Sequence, residues 1–320
     1  MPNAQQILVL TGPTACGKSA VGLELAERLG AEIVSLDSMK VYRGLDVGTA
    51  KPTPAERARV AHHLLDLRDP WEDYDTRAFL DDFARAAGEI AARGRRVLLE
   101  GGTVLYLRSL LQGLFAGPAA DLALRARLEE EAAHSGPEAL HRRLAAVDPA
   151  AAAAIHPRDL RRIVRALEVH ALTGQPISTL QATLTSPPAG IRFRVAALEL
   201  DREELDARIS SRVERIFAAG LVEEVRRIAA TPGGFGREAA QALGYKEVLA
   251  HFAKEYDAAE AAERTCRATR RFARRQLSWL KRLVAAGDWL RMERGEVPAR
   301  TAERLARHWG LGGSSTELGP

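Results

Sequence analysis

Cysteine is nearly absent: the 320 residues hold two, Cys16 and Cys266. Two isolated thiols give neither a disulfide framework nor zinc-ligand spacing, so a reducing cytosol is the expected compartment. No apolar run approaches the ~20 residues needed to span a bilayer, and membrane association is not expected. Residues 1–6 carry no basic segment ahead of the short apolar run that follows, so a signal peptide is not expected. No repeat of solenoid period is present.

What the chain does have is ordinary for a globular protein: 46% hydrophobic and 28% charged residues, with a formal net charge of +4. The length allows one large domain with an insertion, or two domains.

Gly12, Pro13, Thr14, Ala15, Cys16, Gly17, Lys18 and Ser19 fit the pattern G-x-x-x-x-G-K-[ST] of a phosphate-binding loop. The apolar run Ile7–Leu10 precedes them and a helical pattern follows to Leu29, which is the context the motif requires. Loop N–H groups and the positive end of the helix would wrap a diphosphate or triphosphate. Lys18 would add a mobile charge and the Ser19 hydroxyl would hold Mg²⁺.

The first part of the chain alternates strand and helix. Strands are expected at 7–10, 32–36, 64–67 and 96–99, and helices at 19–29 and 76–93. This predicts an α/β fold, a parallel sheet flanked by helices, with ligands outside the carboxyl ends of its strands. Helical patterns at 122–133, 138–146 and 159–172 predict an all-helical insertion before a strand at 193–200. The expected division is 1–116 for the first part of the core, 117–190 for the insertion, 191–310 for the second part with basic helices, and 311–320 for a frayed tail.

Asp37 closes the second strand, where a carboxylate serves as a general base, as a ligand to a metal-bound water, or as an N-cap. Gly101, Gly102 and Thr103 close another strand, as a ligand contact or an ordinary capped turn. Glu100 before them is a metal ligand or a solvated turn residue. Arg208 and Arg212 either reach the diphosphate or pair with Glu204 and Asp206. Two basic stretches stand out. Arg158, Arg161, Arg162 and Arg165 recur at helical spacing. Residues 264–282 contain no acid, and Arg267, Arg270, Arg271 and Arg274 share one helical face. Uncompensated like charges predict a nucleic-acid backbone there, against the alternative of a solvated face. Phe272 and Trp279 are read as core residues.

Together these motifs resemble the tRNA dimethylallyltransferase family. The matching segments are Gly12–Ser19, Asp37–Gly44, Asp46–Pro52, His62–His63, Gly101–Tyr106, Arg161–Glu168, Gly244–Glu247 and Arg275–Leu280. The resemblance implies transfer of a dimethylallyl group from dimethylallyl diphosphate to the exocyclic N6 amine of the adenosine 3′ to the tRNA anticodon, with Mg²⁺ as cofactor. It implies Asp37 as general base, Thr103 at the reacting centre, and Lys18 with the loop on the departing diphosphate, to which the spacing of Arg212 adds a further candidate contact. It assigns tRNA contacts to Asp37, Ser38, Met39, Lys40, Thr103, Arg125, Arg161, Arg162 and Arg165; Arg271 and Arg274 join them on the charge pattern of their helix. A cytoplasmic monomer acting on the anticodon stem-loop is expected. Lys40 departs from the family's usual Gln, in the segment that would read the flipped base, and Val104 departs from its common Gly. The alternative is a nucleoside or small-molecule kinase, which would bind ATP with the same loop.

Overall fold

In the computed structural model, residues 5–115, 117–182 and 190–311 are described. The chain divides into two compact units, one formed by residues 1–109 and 190–320, the other by 110–189.

The first unit is built on a six-stranded parallel sheet. Its strands are β1 (Gln5–Thr11), β2 (Ala31–Leu36), β3 (His62–His63), β4 (Arg96–Gly101), β5 (Ile191–Glu199) and β6 (Trp289–Arg291), in the order β3-β2-β4-β1-β5-β6. Ile7, Leu8, Val9 and Leu10 are all buried, as expected of a central parallel strand covered on both faces. Fully burying one such side chain stabilises the fold by about 1.5–3 kcal/mol. The helices that follow in the chain are α1 (Lys18–Leu29), α2 (Pro54–Arg59), α3 (Thr76–Ala92) and α4 (Val104–Gln112). The Gly30 C-cap at φ 60° ends α1 and the Asp75 side chain caps α3, accepting the Ala78 N–H.

The second unit is helical: α5 (Leu122–Ser135), α6 (Pro137–Val147), α7 (Pro149–Ala154), α8 (Leu160–Thr173) and α9 (Ile177–Ala182). Leu128, Leu140, Leu144, Ile163, Leu167 and neighbouring residues form its own apolar core. In chain order it falls between β4 and β5, two strands of one sheet. The helices of the remaining chain are α10 (Arg202–Ala218), α11 (Leu221–Ala229), α12 (Tyr245–Phe252), α13 (Ala258–Leu283) and α14 (Pro298–His308).

One expectation needs correction. The strand expected at 64–67 is the two-residue β3 instead, because Leu64 and Asp66 hold φ of 62° and 56°, in the left-handed region. The short strand β6 and the helix α14 have no counterpart among the sequence expectations. The boundary at residue 116, the break at 186–189 and the tail beyond 311 lie outside the described residues.

Candidate active site

Register brings the site together. Leu36 of β2 and Thr11 of β1 both pair with Gly101 of β4. The three strands therefore end in one row, and the segments that follow them, from Gly12, Asp37 and Gly102, begin side by side. The Thr103 N–H donates to Leu36 O at 3.1 Å, and the Thr11 hydroxyl to Gly101 O at 2.9 Å. Only glycine fits at 101: a Cβ there would lie 2.2 Å from Leu36 O, at φ 159°.

The Gly12–Ser19 loop turns through Ala15 at φ 65° and Gly17 at φ 94° into α1. Lys18 Nζ folds back onto Pro13 O at 3.2 Å. Ser19 Oγ donates to Glu100 Oε1 at 3.2 Å. Glu100 is buried and meets the buried Lys40 ammonium at 3.9 Å. Its reading as a solvated turn residue is thereby overturned, and Lys40 is committed to the cavity behind the loop. That cavity, of about 40 Å³, is lined by Ser19, Ser35, Lys40, Glu56, His62 and Glu100. Burial of the Cys16 thiol raises its pKa, so it is a packing group rather than a nucleophile.

Asp37 is half-buried, and its Oδ1 accepts the N–H groups of Met39 at 2.8 Å and Lys40 at 3.2 Å. The helix N-cap reading is overturned, since the next helix begins only at Pro54; the two bonds instead close an Asx-type turn at the end of β2. Oδ2 has no hydrogen-bond partner among the described residues. Thr103 Oγ1 accepts the Ser38 N–H at 3.1 Å, fixing the second turn to the third.

Arg208 pairs with Glu204 at 2.8 Å and also donates to Cys16 O of the loop at 3.3 Å. Arg212 does not pair with Glu204 or Asp206 among the described residues; its guanidinium donates to Gly48 O at 3.3 Å. Burial pulls its pKa down and the nearby Asp37 carboxylate partly restores it. A guanidinium with most of its five donors unspent, under the influence of a carboxylate and one helical turn from the Arg208 that touches the loop, is suited to an anion.

Three residues that build the site carry no assignment from the sequence. Glu224, buried on α11, accepts the N–H groups of Asp46, Val47 and Gly48 and the Tyr245 hydroxyl at 2.5 Å. It thus holds the loop whose Gly48 O receives Arg212. Lys51 pins the same loop through Tyr42 O, Asp46 and Asp66 at 2.6–2.7 Å. The third is Gln276 on α13. A signal existed for Glu224, which shares the stripe Leu221, Glu224, Val225 and Ile228 with apolar residues.

The basic helix α13 differs from expectation. Arg267 pairs with Glu260 and Glu263, Arg270 lies 3.8 Å from Asp206, and Lys281 lies 3.6 Å from Glu199. The compensating acids lie upstream on the helix or on other elements. Exposed Arg271, Arg274 and Arg275 have no ion-pair partner among the described residues. Trp279 is 45% exposed, not core, with the Arg282 guanidinium 5.3 Å from its ring centroid. The buried face of α13 runs instead through Ala261, Thr265, Thr269, Ala273, Gln276 and Leu280.

Within the helical unit, Arg125 donates to both oxygens of fully buried Glu168 at 2.8 and 2.9 Å, and Arg165 reaches the same carboxylate at 2.5 Å. Burial raises the Glu168 pKa, but these bonds and the Asp121 N–H outweigh it and hold the group below the usual carboxylate range. Arg125 and Arg165 therefore brace the unit, whereas Arg161 and Arg162 are exposed. The described residues hold no cluster of three or more His, Cys, Asp or Glu able to bind a metal, and no helix among them is long and apolar enough to cross a membrane.

Residues 40–283 match the family model described as IPP transferase. The chain belongs to the IPP transferase family. It is 51% identical over 302 residues to a tRNA dimethylallyltransferase of Anaeromyxobacter sp. (strain Fw109-5), covering 94% of this chain and 98% of the relative. It is 48% identical over 277 residues to a tRNA dimethylallyltransferase of Geobacter metallireducens, covering 87% and 90%. Among solved structures it is similar to a tRNA isopentenylpyrophosphate transferase of Bacillus halodurans, with a TM-score of 0.67, 34% identity, and 96% and 97% of the two chains covered. For a member of this family, the kinase alternative is not favoured.

Proposed function

We propose that this IPP transferase family member moves a dimethylallyl group from dimethylallyl diphosphate to the N6 amine of the adenosine 3′ to the anticodon in tRNA, releasing diphosphate. The observation that carries the reading is the single row of strand ends, which sets the half-anchored Asp37 carboxylate on one side of the Gly101–Thr103 turn and the Gly12–Ser19 loop on the other. The tRNA dimethylallyltransferase names of the relatives support it. The allylic C–O bond breaks and its electrons leave with the diphosphate. The adenine nitrogen forms the new C–N bond and gives its proton to Asp37 Oδ2. Loop N–H groups, Lys18 and Arg212 hold the leaving diphosphate as its charge grows. Thr103 steadies the turn that carries Asp37. An adenine stacked in the anticodon loop must be flipped out to reach this site.

The donor set suits Mg²⁺: the Ser19 hydroxyl and the Glu100 carboxylate lie within 3.2 Å of each other, and Mg²⁺ typically takes one or two protein oxygens with phosphates and water. When bound, Mg²⁺ would neutralise diphosphate charge. With tRNA as its substrate, the activity belongs to the cytoplasm.

Labelled dimethylallyl diphosphate incubated with anticodon stem-loop RNA is expected to yield prenylated adenosine. Consumption of ATP with no prenylated RNA overturns the reading. The exposed arginines contact RNA phosphates in this scheme. Arg271→Glu is expected to weaken RNA binding and to flatten the slope of log affinity against log salt by about 1. An unchanged slope returns α13 to a solvated face.

A further inference from the structure

Gln276 lies on the inner face of α13 and is 5% exposed. Its Oε1 accepts the Thr14 N–H at 2.8 Å, and its Nε2 donates to Gly102 O at 2.7 Å. One partner belongs to the loop after β1, the other to the turn after β4. A carboxamide offers an acceptor and a donor on the two arms of one plane, which is what an N–H and a carbonyl facing each other across a gap require. The partners leave no choice in how the amide is oriented. The fit is close, since a Cβ on Gly102 would lie 2.6 Å from Nε2 and 3.6 Å from Lys18 Cε.

We propose that Gln276 is a positioning residue that sets the Gly12–Ser19 loop against the Gly101–Thr103 turn, and so sets Lys18 against the Asp37 side of the site. The proposal rests on the reading of that loop as the diphosphate cradle. Thr14 N–H is taken by Gln276 and Cys16 N–H by Pro13 O, so the loop donors left to an incoming diphosphate are the Ala15, Gly17, Lys18 and Ser19 amides, with the Lys18 and Arg212 side chains. Gln276 does not touch the reacting atoms. It acts through the loop, and its loss opens the gap between two segments that must grip one anion.

The test is Gln276→Glu, beside Gln276→Met, which keeps the length of the side chain and removes both polar arms. In Gln276→Glu the ionised carboxylate turns a second acceptor towards Gly102 O, whereas the protonated acid restores the donor. At about pH 8, Gln276→Glu is expected to raise the Kd of inorganic diphosphate and the KM of dimethylallyl diphosphate about tenfold or more, with the KM of RNA unchanged. The deficit is expected to shrink towards pH 5 for Gln276→Glu alone and to stay constant for Gln276→Met. A role in stability alone would lower the melting temperature without splitting the two KM values or giving this pH dependence. Wild-type diphosphate affinity in both folded variants overturns the proposal. Diphosphate binding that responds as described, in a protein that prenylates no RNA, overturns the functional reading and leaves the positioning role standing.

Discussion

Asp37→Asn is expected to lower kcat by about 10²–10⁴-fold while donor and RNA affinities stay near wild type. The geometry makes Asn the informative choice. Its amide oxygen still accepts the Met39 and Lys40 N–H groups that Oδ1 accepts now, so the turn after β2 keeps its shape. Its NH₂ then stands where Oδ2 has no partner among the described residues, and an NH₂ cannot take a proton. Asp37→Ala removes these turn bonds as well, so it should match the Asn variant in kcat and fall below it in melting temperature. Rates from single-turnover prenylation and melting curves separate the two effects. A fully active Asn variant would assign the carboxylate to shaping the turn alone.

Glu224→Ala is expected to destabilise the protein by about 3 kcal/mol or more. One carboxylate satisfies three backbone N–H groups and the Tyr245 hydroxyl, and each buried donor left without a partner costs about 1–3 kcal/mol. The melting temperature should fall by roughly 5–10 °C. Glu224→Gln, which retains one acceptor oxygen, should lose less. The effect should extend to the site, because the clamped loop presents Gly48 O to Arg212. The KM of the diphosphate donor should therefore rise in Glu224→Ala before the protein melts. A melting temperature equal to wild type would refute the clamp.

The Gly12–Ser19 loop and Asp37 were legible in the sequence because their chemistry is local: a motif of eight residues, and an acid at a strand end. So was the alternation of short apolar strands with helices that dictates a parallel sheet. Gln276 was not legible, since its partners Thr14 and Gly102 lie 262 and 174 residues away and no local pattern records the meeting. The compensation of Arg270 was hidden for the same reason: Asp206 belongs to another helix. Trp279 misled because an aromatic at helical spacing reads as core, whereas the inward face of α13 carries small and polar side chains. β3 was displaced because the positive φ values of Leu64 and Asp66 leave no mark in an apolar run.

The sheet order carries a consequence for biosynthesis. β1 leaves the ribosome first, yet its two neighbours are β4 and β5, and β5 begins at Ile191. A nascent chain that has not reached that point can assemble β2, β4 and β1 but leaves one flank of Ile7–Leu10 with bare hydrogen-bonding groups. Such a flank is a template for association with other chains. That flank is closed only once β5, Ile191–Glu199, is free to pair with β1.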